Sequence, residues 1–197
     1  MTSTVLVTGG AGFIGTNLVT SLASSTRCPI IVLDALTYAG HLSGLAPLID
    51  DGRIKFVHGD VRDDATVSRL FAEEEVTQVI HLAAESHVDR SIASPEAFLR
   101  TNIDGTYILL EAARRHWARD DTSCRFVHVS TDEVFGDLEP GAVSGPGDAY
   151  CPSSPYAASK AASDHLARAW HRTYGVPVIV TNCGNNYGPW QFPEIGR

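Results

Sequence analysis

Positive charge is scarce in this chain: 15 lysines and arginines stand against 23 aspartates and glutamates, a formal net charge of -8. That leaves no basic face for a nucleic-acid backbone, although a single local anion site would suffice for a phosphorylated small molecule. Cysteine is sparse as well. Cys28, Cys124, Cys151 and Cys183 lie far apart without a C-x-x-C pair, which argues against a disulfide framework or a zinc site and for reduced thiols in a cytoplasmic protein. The histidines also lack metal-ligand spacing, so no metal is expected. There is no apolar run of membrane-spanning length and no basic, apolar leader before the first strand, so the expectation is a soluble, intracellular chain. Internal repeats and low-complexity tracts are absent too.

What remains is enough for one substantial core, since 44% of the 197 residues are hydrophobic. Short apolar runs recur at Val5–Val7, Ile30–Leu33, Ile54–Val57, Val79–Leu82, Phe126–Val129 and Val178–Val180, and read as buried strands. Between them, Phe13–Ser24, Asp64–Glu74, Pro95–His116 and Tyr156–Tyr174 read as helices, the first with Ile14, Leu18 and Leu22 on one stripe. Strands alternating with helices imply right-handed crossovers and a parallel sheet covered on both faces. Two stretches, Leu36–Gly52 and Gly136–Pro155, are too long for simple connections and read as functional loops. The acidic run Glu73–Glu75 reads as a solvated helix end.

Directly after the first strand, Gly9, Gly12 and Gly15 are spaced G-x-x-G-x-x-G ahead of a helix. Glycine permits the tight turn and a close backbone approach to a pyrophosphate, whose charge is met by free N–H groups at the helix start. Asp34 ends the second strand about twenty residues further on, where a carboxylate would bind the adenosine ribose hydroxyls. No arginine follows it, and an acidic side chain there disfavours a 2′-phosphate, so the cofactor expected is NAD. The fold expected is α/β, a Rossmann-type doubly wound parallel sheet. Asp60 and Val61, after the third strand, are placed to meet the adenine, and Asp60 could equally cap the next helix.

Tyr156 and Lys160 form Y-x-x-x-K near a helix start, which puts both side chains on one face about one turn apart. A tyrosine becomes a base near neutral pH when an ammonium and an oxidised nicotinamide favour its phenolate. It could then take a hydroxyl proton while hydride leaves. Asp132 and Glu133, beside Thr131 at the end of the fifth strand, are an acidic pair whose two members would need different protonation states to act as acid and base.

Together, T-G-G-x-G-F-I-G at Thr8–Gly15, Y-x-x-x-K at Tyr156–Lys160 and the Ser130–Thr131 pair resemble the extended short-chain dehydrogenase/reductases over essentially the whole chain. Within them, Asp34–Gly40, Ala83–Ser91, Ser130–Val134 and Asn185–Pro189 resemble the dTDP-glucose 4,6-dehydratases. That resemblance implies oxidation of the sugar at C4, loss of water across C5 and C6, and return of hydride to C6. It assigns the C4 hydroxyl proton to Tyr156, the holding of that hydroxyl to Thr131, the C5 proton to Glu133, and the departing C6 oxygen to a protonated Asp132, with Lys160 supporting Tyr156. It also implies NAD contacts at Gly9, Gly12, Phe13, Ile14, Gly15, Asp34, Ala35, Leu36, Thr37, Asp60, Val61, Leu82, Ala83, Ala84, Thr101, Tyr156, Lys160 and Asn186. Ser86, Thr131 and Asn185 are implied to meet a dTDP-glucose substrate, Tyr38 to wrap the adenosine end of the cofactor, and the oligomer to be a homodimer. Another nucleotide-sugar dehydratase, an epimerase or decarboxylase, and an NAD-binding module without chemistry are the other readings.

The sequence departs from that pattern at Phe135, at Ser144–Gly145 and at Gly184, none of which removes a catalytic group. The larger departure follows Pro189, where the family pattern continues into a substrate-holding region. The expectation is therefore an NAD-binding domain over 1–190, a stub over 191–197, and weak binding of the sugar nucleotide with little or no turnover by the short chain.

Overall fold

The computed structural model describes residues 3–119 and 121–192. Six strands, β1 (Thr4–Thr8), β2 (Ile30–Asp34), β3 (Lys55–His58), β4 (Val76–His81), β5 (Arg125–Thr131) and β6 (Val178–Cys183), form one sheet in the order β3-β2-β1-β4-β5-β6. Every neighbouring pair is parallel. The chain runs outward from β1 to β3, then returns to lay β4 on the other side of β1, so the carboxyl ends of β1 and β4 flank a topological switch point.

Both faces of this sheet are covered, which is why the central strands are apolar at successive positions. In β1, Val5 and Val7 pack with Val32 of β2 against Val19 and Ala23 of α1 (Phe13–Ser25). Leu6 points the other way and joins Ile31, Leu33, Val79 and Phe126. That second cluster is closed by Leu70 and Phe71 of α3 (Asp64–Glu73), Leu109 and Leu110 of α6 (Gly105–His116), and Ala167 of α7 (Pro155–Tyr174). The period-two alternation of a strand thus feeds two cores. Each fully buried Leu, Ile or Phe contributes about 1.5–3 kcal/mol.

Three features differ from the sequence expectations. The buried face of α1 is Gly15, Thr16, Val19 and Ala23, one position past the expected stripe, and Ile14 is 41% exposed. The cause lies in the glycines: a Cβ on Gly10 would stand 2.6 Å from the Val32 side chain, so the lack of one lets the small-residue face of α1 seat on the sheet. The loop after β2 contains a turn at Leu42–Gly44 and the short helix α2 (Ala46–Asp50). Finally, Pro95–His116 is helical throughout but not uniform, with α5 (Pro95–Phe98) passing through a π-helical segment at Leu99–Asp104 into α6. It is preceded by α4 (Val88–Ala93).

The acidic run ends α3 as expected, with Glu74 ion-paired to Lys55. Of the expected stub, Pro193–Arg197 lie outside the described residues. The segment before it lies along α1 and the loop after β2: Asn17 donates to the Pro189 carbonyl at 2.8 Å, and the Phe192 ring sits 4.2 Å from that of His41. Among the described residues, no helix is long and apolar enough to cross a membrane, and no His, Cys, Asp and Glu group could hold a metal ion.

Candidate active site

The residues singled out in the sequence gather along the carboxyl edge of the sheet. Gly9–Gly15 follow β1, Asp34 ends β2, Asp60 follows β3, Leu82–Ser86 follow β4, Thr131–Glu133 follow β5, and Asn185 and Asn186 follow β6. Thr101 lies in the π-helical segment.

At the glycine loop the fit is tight on the protein side and open on the other. Gly9 has φ +71°, and a Cβ there would lie 2.6 Å from the Ala83 backbone nitrogen; one on Gly15 would lie 2.2 Å from the Gly9 carbonyl oxygen. Gly12 caps α1 without any side-chain hydrogen bond, and the first turn carries no acidic residue. A bare helix N-terminus beside glycine backbone suits a pyrophosphate. Asp34, 9% exposed, ties this loop down: its Oδ2 accepts from the Ala11 N–H at 2.9 Å and its Oδ1 from the Leu36 N–H at 2.8 Å. Each oxygen keeps a second lone pair, enough for ribose hydroxyls. These residues therefore fit a dinucleotide.

Other sequence-derived positions surround that cradle. Asp60 forks onto Arg62, with Oδ2 2.6 Å from Nη2; burial opposes its charge, yet the Arg62 hydrogen bonds hold it below the usual carboxylate range. It does not cap α3, a task Asp63 performs by accepting from the Ala65 N–H. Val61 is buried and packs where a Cβ on Gly105 would stand. Tyr38 is exposed, with the Arg90 guanidinium 3.9 Å above its ring. Ser86, Asn185 and Asn186 are exposed, and Asn186 donates to the Gly184 carbonyl at 2.9 Å.

The acid pair and the tyrosine meet at the end of β5. Thr131 caps the turn Asp132–Phe135, its hydroxyl accepting from the Glu133 N–H at 3.2 Å and donating to Asp132 Oδ1 at 3.3 Å. The Thr131 carbonyl is fixed by Asn182 of β6 at 3.1 Å. Burial, with the Asp132 charge second, pushes the Glu133 carboxyl up, which makes it a stronger base once ionised. Ser154 caps α7 and Pro155 occupies its first turn, so Tyr156 and Lys160 leave the helix start toward Thr131.

Tyr156 is buried, and its phenol is pushed up to about 12. Burial is the main cause, the charges of Glu133, Asp132 and Asp164 add to it, and Thr131 beside it works the other way. The sequence pattern points to an ammonium and an oxidised nicotinamide acting together to favour the phenolate. In the structure the Lys160 ammonium donates to the Val129 carbonyl at 2.8 Å, and burial lowers it to about 8. Without a cofactor the phenol is protonated at neutral pH, and an oxidised nicotinamide would add the positive charge that favours its phenolate.

Several residues of the site escaped the sequence reading. Asn102 is buried; its amide donates to the Glu85 carbonyl at 2.9 Å and to Ser159 Oγ at 2.8 Å, and its oxygen accepts from the Glu85 N–H at 2.9 Å. It clamps the loop after β4 to α7. Asp164 and Tyr150 also escaped it, although Asp164 stands four residues beyond Lys160, a spacing that places the two on one face.

The model of the GDP-mannose 4,6 dehydratase family matches residues 6–196. The dTDP-glucose 4,6-dehydratase 1 of Escherichia coli (strain K12) is 54% identical over 96% of this chain, and that of Xanthomonas campestris pv. campestris (strain B100) is 55% identical over 98%. This chain spans 56% of the length of each. Among solved structures, DesIV, a dTDP-glucose 4,6-dehydratase from Streptomyces venezuelae with NAD and TYD bound, superposes with TM-score 0.88 at 48% identity, covering 96% of this chain and 58% of that one. The UDP-glucose 4-epimerase of Thermus thermophilus, complexed with NAD, superposes with TM-score 0.86 at 35% identity, covering 97% and 58%.

Proposed function

Because this chain belongs to the GDP-mannose 4,6 dehydratase family, we propose that its residues 1–190 are the NAD-binding and catalytic unit of a dTDP-glucose 4,6-dehydratase. The product is dTDP-4-keto-6-deoxyglucose. NAD, when bound, supplies the hydride acceptor at C4 and the donor at C6. It is held by the glycine loop and the start of α1, by Asp34 with Ala35, Leu36 and Thr37, by Asp60 and Val61, and by Leu82–Ala84, Thr101 and Asn186. Ser86, Thr131 and Asn185 hold the sugar nucleotide.

The observation that carries this reading is the placing of Asp132 and Glu133 directly after Thr131, beside the buried Tyr156. Tyr156, supported by Lys160, takes the C4 hydroxyl proton; Glu133 takes the C5 proton, acidified by the new C4 carbonyl; Asp132 delivers a proton to the C6 oxygen, which leaves as water; and Glu133 returns its proton to C5 as C6 is reduced. An epimerase needs the tyrosine and lysine but not an acid beside a base. A module without chemistry needs none of the five. The scattered thiols suit a reducing cytoplasm. Exposed Tyr107, Tyr174 and Leu99, on and beside α6 and α7, suit a homodimer face.

The test is Asp132→Asn on this chain. With NAD and dTDP-glucose, the variant should still reduce the cofactor, read by the near-ultraviolet absorbance of reduced nicotinamide. Its 4-keto-6-deoxy product should fall by about a hundredfold or more. Equal loss of cofactor reduction and of product formation, each relative to the unsubstituted chain, would overturn the reading.

A further inference from the structure

Beneath the turn after β5, α7 and β5 enclose a carboxylate that the proposed reaction does not use. Asp164 is completely buried. Its Oδ2 accepts from the Tyr150 hydroxyl at 2.8 Å and lies 3.5 Å from Asn182 Nδ2, while its Oδ1 stands 3.1 Å from His128 Nε2. A buried carboxylate is costly unless a cation or several donors offset it. The histidines do not supply the cation. Burial holds His128 down to about 4 and His81 well below the ordinary histidine range, so both are neutral at neutral pH. His81 is already engaged by Thr8 Oγ1 at 2.7 Å and Thr106 Oγ1 at 3.0 Å.

Lys160 is the buried cation on this face, 4% exposed and one turn of α7 before Asp164. Its one hydrogen bond among the described residues, to the Val129 carbonyl, accounts for only part of an ammonium's donors. Tyr150 closes the other side. It stands near the end of the long loop before α7, accepts from Arg168 at 2.7 Å, and packs edge-on against Phe135 with ring centres 5.1 Å apart. Next to it, the Cys151 N–H donates to the Val134 carbonyl at 2.9 Å.

We propose that Asp164 is a positioning residue, whose buried carboxylate keeps Lys160, one turn before it on α7, an ammonium ion on the Val129 carbonyl and latches the 136–154 loop onto α7 through Tyr150. The titratable and charged groups facing this pair are His81 from β4, His128 from β5, Cys183 from β6, Tyr150 from the loop, and Tyr156 and Arg168 from α7. Asp132 and Glu133, on the turn after β5, act on Tyr156; Asp164 is the carboxylate whose field raises Lys160 against the dominant effect of burial. Remove that charge and Lys160 sheds its proton at lower pH, weakening its support of Tyr156. The importance of this for catalysis rests on the redox roles proposed for Tyr156 and Lys160, whereas the burial of Asp164 and Lys160 one turn apart on α7 does not.

The chain contains only two lysines, Lys55 and Lys160, so side-chain NMR of a lysine-labelled sample resolves the pair without ambiguity, and exposed Lys55 serves as the internal control. The measurement uses the 197-residue chain without cofactor or sugar nucleotide, so a failed dehydratase reading leaves its outcome intact. Asp164→Asn should lower the Lys160 midpoint by roughly one pH unit and leave Lys55 unmoved; Asp164→Glu should restore most of the loss. Tyr150→Phe should leave the Lys160 midpoint in place and speed amide exchange across 136–154. In the unsubstituted chain, which requires no variant to fold, the Asp164 carboxyl carbon should shift with the same midpoint as Lys160. An unmoved Lys160 in folded Asp164→Asn, an Asp164 carbon flat through the Lys160 titration, or unchanged loop exchange in Tyr150→Phe would each overturn the proposal.

Discussion

A methyl group added at Gly12 and one added at Gly15 meet different surroundings, and the difference separates folding from binding. At Gly15 the new Cβ would stand 2.2 Å from the Gly9 carbonyl oxygen and 2.6 Å from the Gly10 Cα, both backbone atoms that cannot rotate away. Gly15→Ala should therefore cost at least about 2 kcal/mol, lowering Tm by roughly 5 °C or more. At Gly12 the nearest atom is 3.4 Å away, and φ -77° with ψ 177° is extended backbone open to alanine. Gly12→Ala should keep Tm within about 2 °C, yet place a methyl at the uncapped end of α1 and weaken NAD about tenfold. Thermal melts and calorimetric titration with NAD read both effects, and equal thermal damage in the two variants would contradict the division. The spacing of these glycines was legible in the sequence because turn geometry repeats locally. Gly10 was not, since its requirement comes from Val32 on another strand. The raised phenol of Tyr156 was also hidden, because its main cause is burial, which only the packing creates.

The helix from Pro95 to His116 shows what periodicity reveals and what it misses. Its limits follow from apolar spacing and from Pro95 in the first turn, and both ends fall where the sequence put them. The π-helical segment at Leu99–Asp104 leaves no such trace, since a single π turn inside an α-helix has no residue signature of its own. It is here that Asn102 turns inward and pairs with both backbone groups of Glu85 and with Ser159 Oγ. Asn102→Ala would leave those buried groups unmet, at a cost of about 2–3 kcal/mol. The loss should be uneven. Hydrogen exchange should accelerate first at 84–87, with the glycine loop following because Gly9 rests on Ala83. Uniform destabilisation, with no excess exchange at 84–87, would show that Asn102 fills space rather than clamps. The stripe on α1 carries the same lesson: apolar spacing chose Ile14, Leu18 and Leu22, but close approach to the sheet selected the smaller neighbouring residues.

Across the whole molecule, alternating strands and helices implied a doubly wound sheet, and right-handed crossovers left few ways to order it. The observed order, with its reversal beside β1, follows from local contacts the sequence does not display, because any of the apolar strands could sit at the centre. That order brings the ends of β1, β2 and β4 to one crevice, and it makes cofactor choice a property of the assembled edge. Asp34 is the carboxylate on the β2 side of that crevice, nearly buried and held by the Ala11 and Leu36 N–H groups. Ala35 follows it, offering no cation to a 2′-phosphate. The formal net charge of -8 adds a diffuse field of the same sign. NAD should therefore bind this chain at least about tenfold more tightly than NADP, and the ratio should shrink as salt screens the repulsion. Asp34→Asn removes the charge and leaves one side-chain oxygen for two backbone donors. It should weaken NAD and narrow the preference together, because the same carboxylate both shapes the loop and repels the phosphate. Paired calorimetric titrations with NAD and NADP at low and high salt measure this, and a preference for NAD that survives Asp34→Asn at full size would place discrimination elsewhere on the edge.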